Sequence, residues 1–196
     1  MRAISEQRWQ IAQKYEADYW AIEAQNPEKL ARDIADGHHF TAGVLDIRAD
    51  TVSGATVLDI AGGPFPLGAA PDLQLLQYVI VDPGDYPKRE GVQRIKLCAE
   101  EYRDLAYQEV WGYNVLQHVK EPAAVLQTVR MHARKFIRWF DVVDTPIYPV
   151  HPPSIKADWL RQELSRDGFR IVRDIDGSRL VEGQRQKWVA LVAECQ

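Results

Sequence analysis

Asp59, Gly62, Gly63 and Asp82 have the residue types and spacing to hold a nucleoside. In TVLDIAGGPFPLG, Thr56 to Gly68, an apolar run carries the acid Asp59 and then breaks into Gly62-Gly63-Pro64. A helix-compatible run, Leu67 to Leu76, follows, so the order is strand, tight turn, helix, the opening of a nucleotide-binding unit. Only a residue without Cβ lets a ligand come close to the backbone of such a turn. The helix start behind it offers free N–H groups and a positive dipole end to a carboxylate or phosphate. The next apolar run, YVIVDP, ends in Asp82, about 20 residues on, where a carboxylate is placed to accept ribose hydroxyls.

What the turn lacks narrows the ligand. A dinucleotide fingerprint wants G-x-G-x-x-G, and neither Gly62 nor Gly63 has a glycine two places on. No G-K-S/T follows either, which excludes a nucleoside-triphosphate loop.

VLDIAGGPFPLG, YVIVDP, CAEEY and VWGYNVLQHVKEPAAVLQTVR, in that order, resemble the successive motifs of class I S-adenosylmethionine-dependent methyltransferases. The resemblance is closest to their small "NVLxHV" branch and covers the chain from Val57 to Glu194. Order and spacing are more specific than any single motif. It implies S-adenosyl-L-methionine as cofactor, held by Asp59, Ala61, Gly62, Gly63, Asp82, Ala99, Glu100 and Asn114. The family's first glycine is Ala61 here, and Phe65 stands where a small residue is usual. Cys98-Ala99-Glu100 corresponds to the segment that meets the adenine through a backbone N–H and a nearby acid. The family's acid falls at Cys98, which leaves Glu100 as its substitute or as a solvated first-turn acid. Tyr113 and Asn114 correspond to the methionine end. A related branch binds a metal through a glutamate and a histidine in this segment; Asn114 and Gln117 replace such a glutamate, so no metal is expected.

Methyl transfer from a sulfonium is an in-line displacement in which the protein mainly supplies positioning. A general base is needed only for a hydroxyl or a protonated amine. Two histidines are candidates. His118 lies one helical turn after Asn114 near the tip of the fourth strand, with a hydrogen bond to a neighbouring loop as its bland alternative. His151, in YPVHPPS, falls where the family builds acceptor contacts, or serves a plain loop. His38 and His39, adjacent on a helix, point different ways and are expected to bind nothing.

These residues must be positioned by strands and helices in alternation. Strands are expected at the apolar run Val57–Ile60, and at Tyr78–Val81, Gln93–Leu97, Glu109–Tyr113, Lys135–Val143, Phe169–Arg173 and Lys187–Ala193, with a charged, glycine-bearing loop between the last two. Helices are expected from Glu121 to Arg134, with Pro122 in the first turn, and from Asp158 to Arg166, ending at Gly168. This alternation implies an α/β, Rossmann-like, doubly wound seven-stranded sheet; the resemblance adds that the last strand inserts antiparallel. Ahead of it, Trp9, Ala12, Tyr15, Tyr19 and Ile22 recur at helical spacing within Ser5–Ala24. Asn26-Pro27 opens a second helix through Ile34, and HHFTAGVLDI adds a further helical piece. Residues 1–50 thus read as an N-terminal helical cap whose aromatics pack onto the core, and 51–196 as the methyltransferase domain. In the resembling family a cap here covers cofactor and acceptor.

Composition sets the outer bounds. The 196 residues, 46% hydrophobic and 27% charged, suffice for a sizeable core. A net charge of −4 shows no nucleic-acid-binding face. Arg130, Arg134, Lys135 and Arg138 form the one basic cluster, explained by a solvated helix end, and GYNV stands where base methylation would want an N/D-P-P-Y/W motif. Without an apolar run of bilayer length, a signal peptide or a cysteine framework, the chain is expected to be cytoplasmic and away from membranes. The reading is a methyltransferase for a small-molecule or carbohydrate-like acceptor. The alternatives are a non-catalytic cofactor-binding or regulatory subunit, and a nucleic-acid or protein methyltransferase; a dinucleotide enzyme fits least. Oligomeric state is left open.

Overall fold

Apolar runs that are continuous rather than alternating bury strands on both faces, and the computed structural model places them at the centre of one sheet. It describes residues 4–23, 28, 32, 39–63, 67, 73–85, 90–145, 154–181 and 184–196. Seven strands, β1 (Thr56–Ile60), β2 (Gln77–Val81), β3 (Gln93–Ile95), β4 (Tyr107–Tyr113), β5 (Ala133–Val143), β6 (Phe169–Val181) and β7 (Gln184–Cys195), lie in the order β3-β2-β1-β4-β5-β7-β6. The first five pair in parallel, and β7 runs antiparallel to both β5 and β6. Helices are α1 (Glu6–Glu23), the helical residues 39–44 (α2), α3 (Ala49–Val52), α4 (Pro122–His132) and α5 (Ala157–Leu164).

Period-two alternation divides the sheet's side chains between two cores. Leu58, Ile60, Val110, Ile137, Trp139 and Val189 face α4 and α5, while Val57, Ile80, Trp111, Phe140 and Ala190 face Leu45, Ile47 and Val52. Of the expected basic cluster, Arg130 and Arg138 are buried rather than solvated. Arg130 pairs with Glu163 and Asp167, and Arg138 with Glu109. A buried guanidinium needs such partners.

Three expectations are corrected. The loop between the last two strands is a continuous ribbon: β6 extends to Val181 and pairs with β7 through Val181 and Gln184. Arg161 of α5 binds Asp174 and Asp176, and Trp188 covers Gly177, so tertiary contacts hold residues with weak strand propensity extended. Leu73 to Leu75 are not helical, and Leu76 is exposed; half of the expected Leu67–Leu76 helix lies outside the described residues, as does most of the helix opened by Asn26-Pro27.

The third correction concerns α1. Ala12 is buried and Trp9 partly so, while Ile11, Tyr15 and Tyr19 are about half exposed rather than core residues. Polar contacts to the segment after β4 also dock the helix: Gln13 Nε2 donates to the His118 carbonyl at 3.0 Å, Glu16 faces the His118 ring, and Lys120 pairs with Glu6. Among the described residues no helix is long and apolar enough to cross a membrane.

Candidate functional site

The order of the sheet creates the crevice. The chain goes from β1 outward to β2 and β3, then returns to β4 and winds the other way through β5. The tips of β1 and β4 therefore flank the point where the winding reverses, the place where open α/β sheets bind ligands. Both tips end in a left-handed non-glycine residue, Ala61 with φ 56° and Asn114 with φ 59°. Asparagine tolerates that conformation, whereas alanine is strained in it by about 1 kcal/mol. The Ala61 N–H donates to the Val81 carbonyl and that of Asn114 to the Phe140 carbonyl, so neighbouring strands hold both residues in place.

The glycines after Ala61 are needed for two different reasons. A Cβ on Gly62 would stand 2.8 Å from Asp59 Oδ2, so the acid beneath the turn demands a bare backbone there. Gly63 needs its freedom for φ 56°. Asp59 is fully buried, accepts the Tyr78 hydroxyl on Oδ2, and leaves Oδ1 without a hydrogen-bond partner among the described residues. Burial pushes its carboxyl up to about 7.

Asp82 comes to the same turn. It accepts the Gly63 N–H on Oδ2 at 3.0 Å and the Gly84 N–H on Oδ1 at 2.7 Å. Its carboxyl is raised, first by burial, with the charge of Glu16 on α1 adding to the effect. Arg94 of β3, which sequence reasoning missed, donates to the Gly63 carbonyl at 2.8 Å and opposes the rise in both Asp59 and Asp82. A single arginine in a three-residue strand carries no local signal. Cys98-Ala99-Glu100 lies nearby, since the charge of Asp82 contributes to raising the Cys98 thiol, behind burial and the two glutamates. Ala99 is buried in a one-turn 3-10 segment. The Glu100 carboxylate turns to the start of α4, where it accepts the Glu121 N–H at 3.4 Å.

On the β4 side, Asn114 Oδ1 is a buried acceptor without a partner among the described residues. Asp141 of β5 steadies the segment behind it by accepting the Leu116 N–H and the Trp139 indole N–H on Oδ2, each at 3.0 Å. Burial pushes this carboxyl, too, up to about 7. Asp141 also escaped the sequence reading, although a lone acid in an apolar strand is the signal that marked Asp59. The His118 ring faces Glu16 Oε2 at 3.3 Å and so is directed to α1. His151 lies outside the described residues, as do His38 and the Pro64-Phe65-Pro66 segment. Among the described residues no group of three or more His, Cys, Asp or Glu side chains could hold a metal ion. Beyond the β5 tip opens a cavity of about 660 Å³ between Val143, the start of α5 and the β6–β7 ribbon.

No family model matches the chain, and no curated protein matches it in sequence. Solved structures do. The 1,6-didemethyltoxoflavin-N1-methyltransferase of Burkholderia thailandensis, solved with 1,6-didemethyltoxoflavin and S-adenosylhomocysteine, aligns with a TM-score of 0.67 at 14% identity, over 100% of this chain and 92% of that one. The cyclase SpnF aligns at 0.66 and 16%, over 81% and 80%. The magnesium protoporphyrin IX methyltransferase of Synechocystis with bound S-adenosylhomocysteine aligns at 0.60 and 15%, over 82% and 84%. This chain has the class I methyltransferase fold. The likeness at these identities is one of architecture, and the methyltransferase fold accounts for the seven strands, their order and the antiparallel β7. It also covers the unit that carries the Asp59–Gly63 turn, Asp82 and Asn114.

Proposed function

We propose that the protein is an S-adenosyl-L-methionine-dependent methyltransferase acting on a small-molecule acceptor, with residues 1–50 as a cap on a catalytic domain of residues 51–196. One observation carries the reading: the Asp82 carboxylate reaches the Gly63 amide beside two left-handed strand tips at the switch point of a methyltransferase fold. When bound, S-adenosyl-L-methionine supplies an electrophilic methyl group together with its own leaving group. Asp82 accepts the ribose hydroxyls with the lone pairs its two backbone bonds leave free. Ala61, Gly62 and Gly63 present bare backbone to the ligand, and the Ala99 segment borders the adenine. Asp59 Oδ1 and Asn114 Oδ1, both buried acceptors, suit the ammonium of an amino-acid moiety. Glu100 acts through the start of α4 rather than as an adenine acceptor. His118 orients the cap through Glu16, and a base role for it requires that pair to open; His151 remains the candidate on the acceptor side.

The positioning chemistry needs no base for a neutral amine or a thiolate. Burial of Arg130 and Arg138 removes half of the one basic cluster from the surface, which supports a small acceptor over a nucleic acid. The polar lining beyond β5 suits acceptors rich in hydroxyl or charged groups, carbohydrate-like ones included. Calorimetric titration with S-adenosylhomocysteine tests the reading: micromolar binding is expected, and none at high micromolar ligand overturns it. A second reading, a cofactor-binding module without turnover, is favoured by the engagement of His118 with the cap and by a neighbour of this fold named as a cyclase. Methyl transfer by the isolated chain would end it.

A further inference from the structure

The β6–β7 ribbon outruns the sheet. Val143, the last residue of β5, pairs with Lys187, and beyond it β7 pairs only with β6 until Val181 meets Gln184. This two-stranded arm stands past the C-terminal edge of the sheet, with β5 between it and β4. Its base is rigid. Arg161 of α5 binds Asp174 through two hydrogen bonds of 2.8 and 2.9 Å, and reaches Asp176 and Asp158 as well. On the opposite face of β7, Trp188 covers Gly177, where a Cβ would come within 2.0 Å of its ring, so the ribbon is packed from that side as well. Between arm and helix lies the 660 Å³ cavity, of a size that suits a small ligand.

Its charges are not all satisfied from within. Arg161 is saturated by three carboxylates, and Lys156 pairs with Asp144 at 3.1 Å. Arg185 and Lys187 also line the cavity, on the same side of β7, opposite Leu180 and Ser178. Neither has an ion-pair partner among the described residues. A planar guanidinium and an ammonium two positions apart on a strand form a receptor for an oxyanion.

We infer that Arg185 and Lys187 bind a carboxylate or phosphate group of the acceptor in the cavity at the tips of β5, β6 and β7, so that the acceptor is a small organic anion. The inference rests on the methyltransferase reading for the word acceptor, but the anion site stands on its own geometry. The group lies on the β5 side of the switch point, opposite the Asp82 side, and so leaves the nucleoside end untouched.

The test uses the full chain and three one-ring probes at fixed ionic strength, with affinity read by ligand-observed NMR: phenyl phosphate, benzoate and neutral benzyl alcohol. The expected result is saturable binding of at least one anionic probe, about tenfold tighter than benzyl alcohol, and a loss of about tenfold in the R185Q/K187Q double variant. The stronger of phenyl phosphate and benzoate names the anion. Lys135→Gln, on an exposed residue away from the cavity, should leave binding unchanged. Equal affinity for the neutral probe, or anion binding that survives the double substitution, overturns the inference and makes Arg185 and Lys187 solvated charges on an arm. S-adenosylhomocysteine is titrated into the same proteins. If it binds wild type and double variant alike while the anions fail, only this inference falls; if the anions bind and it does not, only the methyltransferase reading falls. Its retained binding also reports that the double variant is folded.

Discussion

The two sides of the switch point are built on opposite principles. On the β1–β2–β3 side the crevice is lined by backbone: two left-handed residues, a glycine that must lack Cβ, and buried carboxylates held by N–H groups and a tyrosine hydroxyl. On the β5–β7–β6 side the lining is exposed side-chain charge, with ion pairs such as Arg161–Asp174 tying an arm to a helix. A backbone-lined crevice tolerates drift in sequence because it needs conformation rather than chemistry, and the fold itself persists at 14% identity. Exposed charges can be exchanged one at a time, which is what the proposed acceptor half would need.

That contrast can be broken at several points. The largest effect is expected from Gly62→Ala. The new Cβ meets Asp59 Oδ2 at 2.8 Å and Cγ at 2.9 Å, and the acid has no solvent to swing into. Calorimetry should show S-adenosylhomocysteine binding weakened by at least about 100-fold, in a chain whose circular dichroism is unchanged; near-normal affinity would mean that the backbone does not meet the ligand.

Asp82→Ala comes next, with a loss of about 1–3 kcal/mol of the same binding energy. Arg161→Ala should lower stability by about 1 kcal/mol, seen as a lower denaturant midpoint, while leaving S-adenosylhomocysteine affinity as it was. If it weakens that affinity as Asp82→Ala does, the two sides are not independent.

Acid titration sharpens the same division. Asp59 and Asp141 have carboxyls raised from 3.8 to about 7 by burial. The folded chain therefore keeps protons that the unfolded chain loses above about pH 4. Their contribution is complete below pH 4, declines as pH rises, and is gone above about 7. Denaturant midpoints should fall across that window, and Asp59→Asn should flatten the slope. A slope that Asp59→Asn leaves unchanged would place the proton elsewhere. The smallest effect belongs to Ala61→Gly, where relief of φ 56° and the gain in unfolded-chain freedom nearly offset, leaving the protein unchanged to about 1 kcal/mol more stable in denaturant titration.

Much of the cofactor side was readable because its signals are local. Asp59 sits in an apolar run that ends in glycines, and Asp82 closes the next such run, so strand tips could be placed from spacing alone. The arm was misread because Asp174, Asp176 and Gly177 carry loop-like chemistry; their extended state comes from Arg161 and Trp188, which belong to other elements. The aromatics of α1 misled for the converse reason. Tyr15 and Tyr19 have core spacing, but Gln13 and Glu16 set the docking face by reaching His118. Glu100 has the chemistry for adenine, and the structure adds a contact no local pattern shows, the Glu121 N–H at the start of α4 on one of its oxygens.

From the sequence alone came most of the strands, the hinge, the acid at each of the first two tips and the doubly wound class, all consequences of residues adjacent or nearly adjacent in the chain. Only the tertiary structure decided that Arg94 braces the turn, that Asp141 holds the β4 segment and that α1 rests on it through residues 105 positions apart. Hydrophobic period and turn chemistry act over a few residues and can be read in line. Buried polar atoms, by contrast, must find partners wherever the packed fold provides them, and no local pattern announces which ones will be near.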